Sequence, residues 1–153
     1  MKQHLFAFYR LDKALIYQYY DIYEQVLKDN EPNVYKHLSK NSVHPHLYLF
    51  NWFQTLYVKV LPLDIASRIW DCFLVDGTLY IVKVAIAIVA IFKRRILSSN
   101  FEEAIQLLSL SPGQDKLWNA NITIDRLFPA IESVKISSKS KLILEDITDR
   151  TYY

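Results

Sequence analysis

Four histidines, one cysteine and the acids around a single central arginine carry most of the chemistry that this 153-residue chain offers. His44-Pro45-His46 is the closest histidine pair, with His4 and His37 standing apart. Two imidazoles on a loop can begin a metal site, but structural zinc needs four ligands and no cysteine or carboxylate lies nearby in sequence. No metal is therefore expected. Cys72 follows Asp71 in an apolar stretch without a neighbouring base, so it reads as packing rather than as a nucleophile. A small self-contained enzyme built on His37, His44 or Cys72 is the weakest functional reading.

Asp64, Arg68 and Asp71 stand at i, i+4 and i, i+3 spacings, which places them on one helix face. Exposed pairs of this kind contribute only about 0.3–0.5 kcal/mol. Between Pro62 and Trp70 they are expected to be partly buried and to brace a corner between two helices. An arginine that enters a partner's active site must project from an exposed or mobile position, and one held by two acids in an apolar helix is poorly placed for that. Tyr17, Tyr19, Tyr20 and Tyr23 supply more rings than one buried face needs. Tyr17 and Tyr20 are therefore candidate contacts to a partner, since exposed tyrosines often anchor interfaces.

The chain has two glycines, Gly77 and Gly113, far apart. Phosphate-cradling loops and dinucleotide turns need several close together, so nucleotide binding through those motifs is excluded and no cofactor is expected. Net charge is +2 with charges dispersed along the chain, which argues against nucleic acid as a partner. The densest basic run, Lys93-Arg94-Arg95, falls where a long helix should end and suits the helix dipole. One cysteine excludes an intrachain disulfide and suits an intracellular protein. The N-terminal MKQHLFAFYR lacks the features of a secretory signal. The longest apolar run, Leu79 to Phe92, is 14 residues long and contains Lys83. A membrane span needs roughly 18–20, so a buried helix is expected.

The elements that must position these residues are helical. Leu11 to Leu27 repeats apolar residues at 3-and-4 spacing. Asn30 is placed to cap a short second helix with Pro32 in its first turn. His44-Pro45 breaks the chain, and a third helix is expected from about His46 to Val60, ended by Leu61-Pro62. Leu63 to about Leu74 follows, with Ile65, Ile69, Trp70 and Phe73 inward. Truncating a buried Trp70 should cost about 3–5 kcal/mol. Gly77 suits a left-handed closing position. Thr78 to Leu97 is rich in Ile and Val but too long for a strand, so it reads as one nearly buried helix. Ser99-Asn100-Phe101-Glu102-Glu103 signals a helix start, and that helix runs to Leu110 before Ser111-Pro112-Gly113. Leu117 to Ala120 is ambiguous. A helix is expected over Ile122 to Val134 and another over Lys141 to Ile147, with a frayed end beyond. The sum is an all-α domain of about seven or eight helices.

The run NWFQTLYVKVLPLDIASRIWDCFLVDG resembles the second half of TBC domains, the GTPase-activating domains for Rab-type small GTPases. Trp52, Thr55-Leu56-Tyr57, Leu61-Pro62-Leu63, Arg68-Ile69-Trp70-Asp71 and Asp76-Gly77 match that pattern in order and spacing. Phe8-Tyr9-Arg10-Leu11-Asp12 resembles the segment entering the preceding helix. The likeness covers roughly His4 to Ala130 and fades after Val134. It implies residues 1–134 as the C-terminal half of such a domain, with 135–153 a polar extension. It marks Trp52, Leu61, Pro62, Asp64, Arg68, Trp70, Asp71 and Gly77 as structural residues of the motif.

The resemblance also implies a Rab-type GTPase as partner, the N-terminal half of the domain as a second, and a cytoplasmic place peripheral to endomembranes. Family catalysis uses an arginine in I-x-x-D-x-x-R and a glutamine in Y-x-Q-G. Neither motif occurs here, so no catalytic residue is assigned and no activity is expected from the chain alone. A half-domain should expose an apolar surface where its complement belongs. The alternative reading is a non-catalytic helical adaptor that binds partners regardless of nucleotide state.

Overall fold

The computed structural model describes residues 13–57, 59–110 and 114–150. The described residues form ten α-helices and one 3-10 turn, with no strand among them. In chain order they are α1 Lys13–Asn30, α2 Pro32–Lys40, the 3-10 turn Pro45–Leu47, α3 Leu49–Gln54, α4 Leu63–Asp76, α5 Thr78–Ile91, α6 Lys93–Leu97, α7 Phe101–Leu108, α8 Asp115–Asn121, α9 Ile124–Ser133 and α10 Ser138–Arg150. The expected beginning of α1 at Leu11, the segment Phe8 to Asp12, the stop at Ser111-Pro112-Gly113 and the chain end after Arg150 lie outside the described residues.

The all-α reading holds, and the hub is α5. Tyr80, Ile81, Val82 and the unbroken run Val84 to Val89 are all buried. A helix apolar around its whole circumference has to be enclosed, and α1, α3, α4, α6, α9 and α10 pack against it. β-branched residues lose side-chain freedom in a helix. Here enclosure on every side outweighs that modest propensity cost.

Three boundaries differ from the sequence reading. The helix expected over His46 to Val60 is a 3-10 turn plus the six-residue α3. It stops because Leu56 and Tyr57 adopt left-handed backbone, φ 48° and 67°. Both are fully buried, and tertiary bonds hold them. The Tyr57 hydroxyl donates to the Ile81 carbonyl at 2.6 Å, and the Trp70 indole N–H donates to the Leu56 carbonyl at 3.2 Å. The long helix from Thr78 is divided at Phe92, which ends α5 and begins α6. Asn30 does not cap α2, whose N-cap residue is Glu31 without a side-chain bond. The Asn30 amide instead clamps the backbone of Lys135, donating to its carbonyl at 2.7 Å and accepting from its N–H at 2.9 Å. The start signal before α7 is met in full: the Asn100 side chain accepts from the Glu103 N–H at 2.9 Å, and the Glu103 carboxylate accepts from the Asn100 N–H at 3.2 Å. The ambiguous segment around Leu117 is helical, as α8.

Two tryptophans finish α7. The indole N–H of Trp52 donates to the Leu108 carbonyl at 3.0 Å, and that of Trp118 to the Leu107 carbonyl at 2.8 Å. The last carbonyls of a helix have no partner within it, and here buried indoles satisfy them. The two rings meet edge to face at 5.6 Å, an arrangement favoured by the ring quadrupoles.

Tyrosine burial gives the fold an alkaline limit. Burial pushes the Tyr19 and Tyr20 phenols from 10.0 up to about 12. It also raises Tyr23 and Tyr48, whose hydroxyls share a buried bond of 2.7 Å, and Tyr57. These groups hold their protons longer when folded than when unfolded. The folded state therefore binds more protons above pH 10, and its stability is complete below that value and falls as pH rises through about 12. A spectrophotometric titration should show tyrosinate absorbance from the buried set appearing together with loss of helical circular dichroism. Smooth titration near pH 10 with helicity intact would contradict it.

Candidate functional site

The motif residues from Leu61 to Gly77 build α4 and its two ends. Leu61 is buried, and Pro62 enters the helix with φ −55° and ψ 149°, its carbonyl accepting from the Ala66 N–H at 2.9 Å. A proline here sacrifices nothing, because its absent N–H would be unpaired in the helix in any case. Ile65, Ala66, Ile69 and Phe73 form the buried side. Gly77 closes α4 with φ 75° and ψ −157°, donating its N–H to the Phe73 carbonyl at 2.8 Å, and the next residue begins α5. Trp52 is fully buried.

The charged set behaves differently from a buried brace. Asp64, Arg68 and Asp71 are all exposed. Arg68 lies over the Phe128 ring of α9, 4.9 Å from its centroid. The ion pair resolved among the described residues is Lys93 to Glu31 at 3.0 Å, with none between Arg68 and either acid. Cation–π contact with a ring from another helix has displaced the in-helix pairs, which solvent weakens. Asp64 occupies the first turn of α4, where a negative charge suits the helix dipole. Nothing in sequence links Arg68 to a ring 60 residues away, so this pairing was not legible beforehand.

Two clefts flank this helix. One, of about 470 Å³, is lined by Arg68, Asp71, Cys72, Tyr80, Lys83 and Glu132 among others. The second, of about 340 Å³, is lined by Leu63, Ala66, Ser67, Trp70 and Asp71. Trp70 is thus half-buried rather than enclosed, because its ring forms a cleft wall instead of filling the core. Leu63, Leu74 and Val75 stand 73%, 65% and 85% exposed. Helix α4 is therefore apolar on two sides, one turned to the core and the other to solvent. The spacing of Leu63, Trp70 and Leu74 carried this second stripe in the sequence.

Of the candidate tyrosine contacts, Tyr17 is 58% exposed and Tyr20 only 6%. The two rings meet edge to face at 5.9 Å, so Tyr20 belongs to the packing beneath Tyr17. His37 bonds the Ser99 carbonyl at 2.7 Å, and the His44 and His46 rings stack at 6.1 Å. No group of three or more His, Cys, Asp or Glu among the described residues is placed to hold a metal ion.

Comparison with known proteins assigns the chain to a family. Residues 1–97 match the family model of the Rab-GTPase-TBC domain. The chain belongs to that family. TBC1 domain family member 14 of Homo sapiens is 33% identical over 88% of this chain, which covers 18% of that protein. TBC1 domain family member 12 of Xenopus tropicalis is 32% identical over 88% of the chain and 19% of its own length. Drainin of Dictyostelium discoideum is 30% identical over 86% of the chain and 29% of its own length. The chain thus spans less than a third of each of these relatives. As a TBC-family chain it carries the corner at Leu61-Pro62, the α4 motif and the Gly77 turn within the matched residues.

Proposed function

We propose that this chain is the C-terminal half of a Rab GTPase-activating domain, forming one wall of the GTPase-binding groove and supporting a catalytic half that it does not itself contain. The carrying observation is the coexistence of two features. The run from Trp52 to Gly77 that resembles the family pattern lies within the matched residues 1–97, while the sequence has neither an I-x-x-D-x-x-R nor a Y-x-Q-G segment. GTPase activation depends on charge stabilisation at the transferring phosphoryl group and on orientation of the attacking water. Arg68, held over Phe128, is a structural residue in this reading. The solvent-facing stripe of Leu63, Trp70 and Leu74 is the surface on which the complementary half or the GTPase rests, since contiguous exposed apolar area usually marks an interaction site.

The working location in this reading is cytoplasmic, peripheral to endomembranes through the GTPase partner. No helix among the described residues is long and apolar enough to cross a membrane. The test is GTP hydrolysis by a panel of Rab proteins with and without the chain. Residues 1–153 alone should leave every intrinsic rate unchanged within about twofold, against the roughly 10³–10⁵-fold that a complete finger supplies. Strong stimulation by the chain alone would overturn the reading.

A further inference from the structure

The basic run Lys93-Arg94-Arg95 is not used up by the fold. Lys93 is committed, through its 3.0 Å pair with Glu31. Arg94 and Arg95 are exposed and make no ion pair among the described residues. Nor are they needed to finish α6, because the hydroxyls of Ser98 and Ser99 both bond the Arg95 carbonyl.

Packing adds a second pair of cations. Helices α2 and α6 lie against each other, tied at one end by Glu31 to Lys93 and at the other by His37 to the Ser99 carbonyl. Val34 and Leu38 are the buried side of α2. At 100° per residue this turns Lys36 and Lys40 outward, and both are exposed. Two stretches without any Asp or Glu, residues 32–63 and 77–101, are thereby brought together. Of the bordering acids, Glu31 is held by Lys93 and Glu103 by the Asn100 cap, while Glu102 is exposed. At the end of α6, Leu97 and Phe101 stand 37% and 43% exposed.

We propose that the outer face of α2 and α6, bearing Lys36, Lys40, Arg94 and Arg95 beside the exposed Leu97 and Phe101, docks onto an anionic phospholipid membrane surface. Cations that hold no ion pair supply the attraction to the negative leaflet, each Lys or Arg near it worth about fivefold in affinity. Apolar tips at the rim enter the headgroup boundary, the division of labour found in peripheral membrane binding. The contact is independent of any GTPase and of the α4 stripe.

Co-sedimentation of the full chain with vesicles tests this. Binding is expected to vesicles of phosphatidylcholine with about 30 mol% phosphatidylserine and not to phosphatidylcholine alone, and to fade between about 100 and 500 mM salt. The double variant Arg94→Glu/Arg95→Glu should weaken binding at least about tenfold, as should Lys36→Glu/Lys40→Glu. Lys139→Glu/Lys141→Glu, on α10 and not on this face, should change it less than about twofold. Leu97→Ser/Phe101→Ser should weaken it while leaving the salt dependence in place. All these positions are solvent-facing or part-exposed, and matching thermal melts establish that each variant is folded. Failure to bind at low salt would overturn the proposal. So would equal binding to neutral vesicles, or a loss with the α10 variant as large as with the arginine variant. Retention of a soluble acidic protein with no vesicle binding would assign the face to a protein and reject the membrane.

Discussion

Replacing Trp52 by alanine should lower stability by about 3–5 kcal/mol, the range for truncating a buried tryptophan. The ring is fully buried and touches Tyr48, Tyr57 and Trp118, so little can collapse into the space without disturbing the left-handed turn beside it. The loss is compounded at Leu108, whose carbonyl accepts the indole N–H at 3.0 Å and would be left buried without that donor. Trp52→Phe separates the two contributions: it keeps most of the volume and loses the donor, for about 1–3 kcal/mol. Trp70→Ala should cost less than Trp52→Ala, about 1–3 kcal/mol, because Trp70 is half-buried against a cleft. Urea unfolding of the three variants gives the ranking. A Trp70 variant as damaged as the Trp52 variant would show that the cleft beside α4 is closed in solution. In thermal melts the Trp52 variant should fall by roughly 10 °C or more.

Gly77→Ala should cost about 1–3 kcal/mol, through the backbone alone. At φ 75° and ψ −157° Gly77 sits in a region that side-chain-bearing residues scarcely enter. A Cβ built there would meet no atom within 4 Å, so no clash contributes. The residue closes α4 and opens α5 at once, and relaxing its backbone would turn α4 relative to the hub. Equilibrium unfolding measures the cost, and an effect under about 0.5 kcal/mol would mean that the turn adopts another conformation at no penalty.

These two residues mark the boundary between what could be read early and what could not. Gly77 was legible as a turn because Asp-Gly follows a periodic helix and few residues other than glycine suit the position. The enclosure of α5 was legible because its run is apolar all round. The α7 start was legible because a capping box is local in sequence, completed by Asn100 and Glu103 only three residues apart. The break after Gln54 was not legible. LFNWFQTLYVKV has good helical periodicity, and nothing nearby announces two left-handed residues. They are held there by a bond from Tyr57 to the Ile81 carbonyl and one from the Trp70 indole to the Leu56 carbonyl, and Ile81 and Trp70 lie on helices that come later in the chain.

The same division applies to the surface. The sequence placed Asp64, Arg68 and Asp71 on one face and suggested that they pair. The fold supplied Phe128 as a better partner for Arg68 and left both acids in water. The run Lys93-Arg94-Arg95 was legible as the densest basic stretch, but that Lys36 and Lys40 lie on a neighbouring helix follows only from the packing of α2 against α6.

By itself, then, the sequence determined the all-α class, the buried hub and the run from Trp52 to Gly77 that carries the family resemblance, and it contains neither I-x-x-D-x-x-R nor Y-x-Q-G. These depend on periodicity, local turn chemistry and residue identity, which a chain carries whatever its surroundings. Tertiary structure alone decided where helices stop, which ring Arg68 covers, how the indoles complete α7 and which side of α4 faces solvent. Each of those depends on a partner many residues away, and that partner exists only once the core has closed.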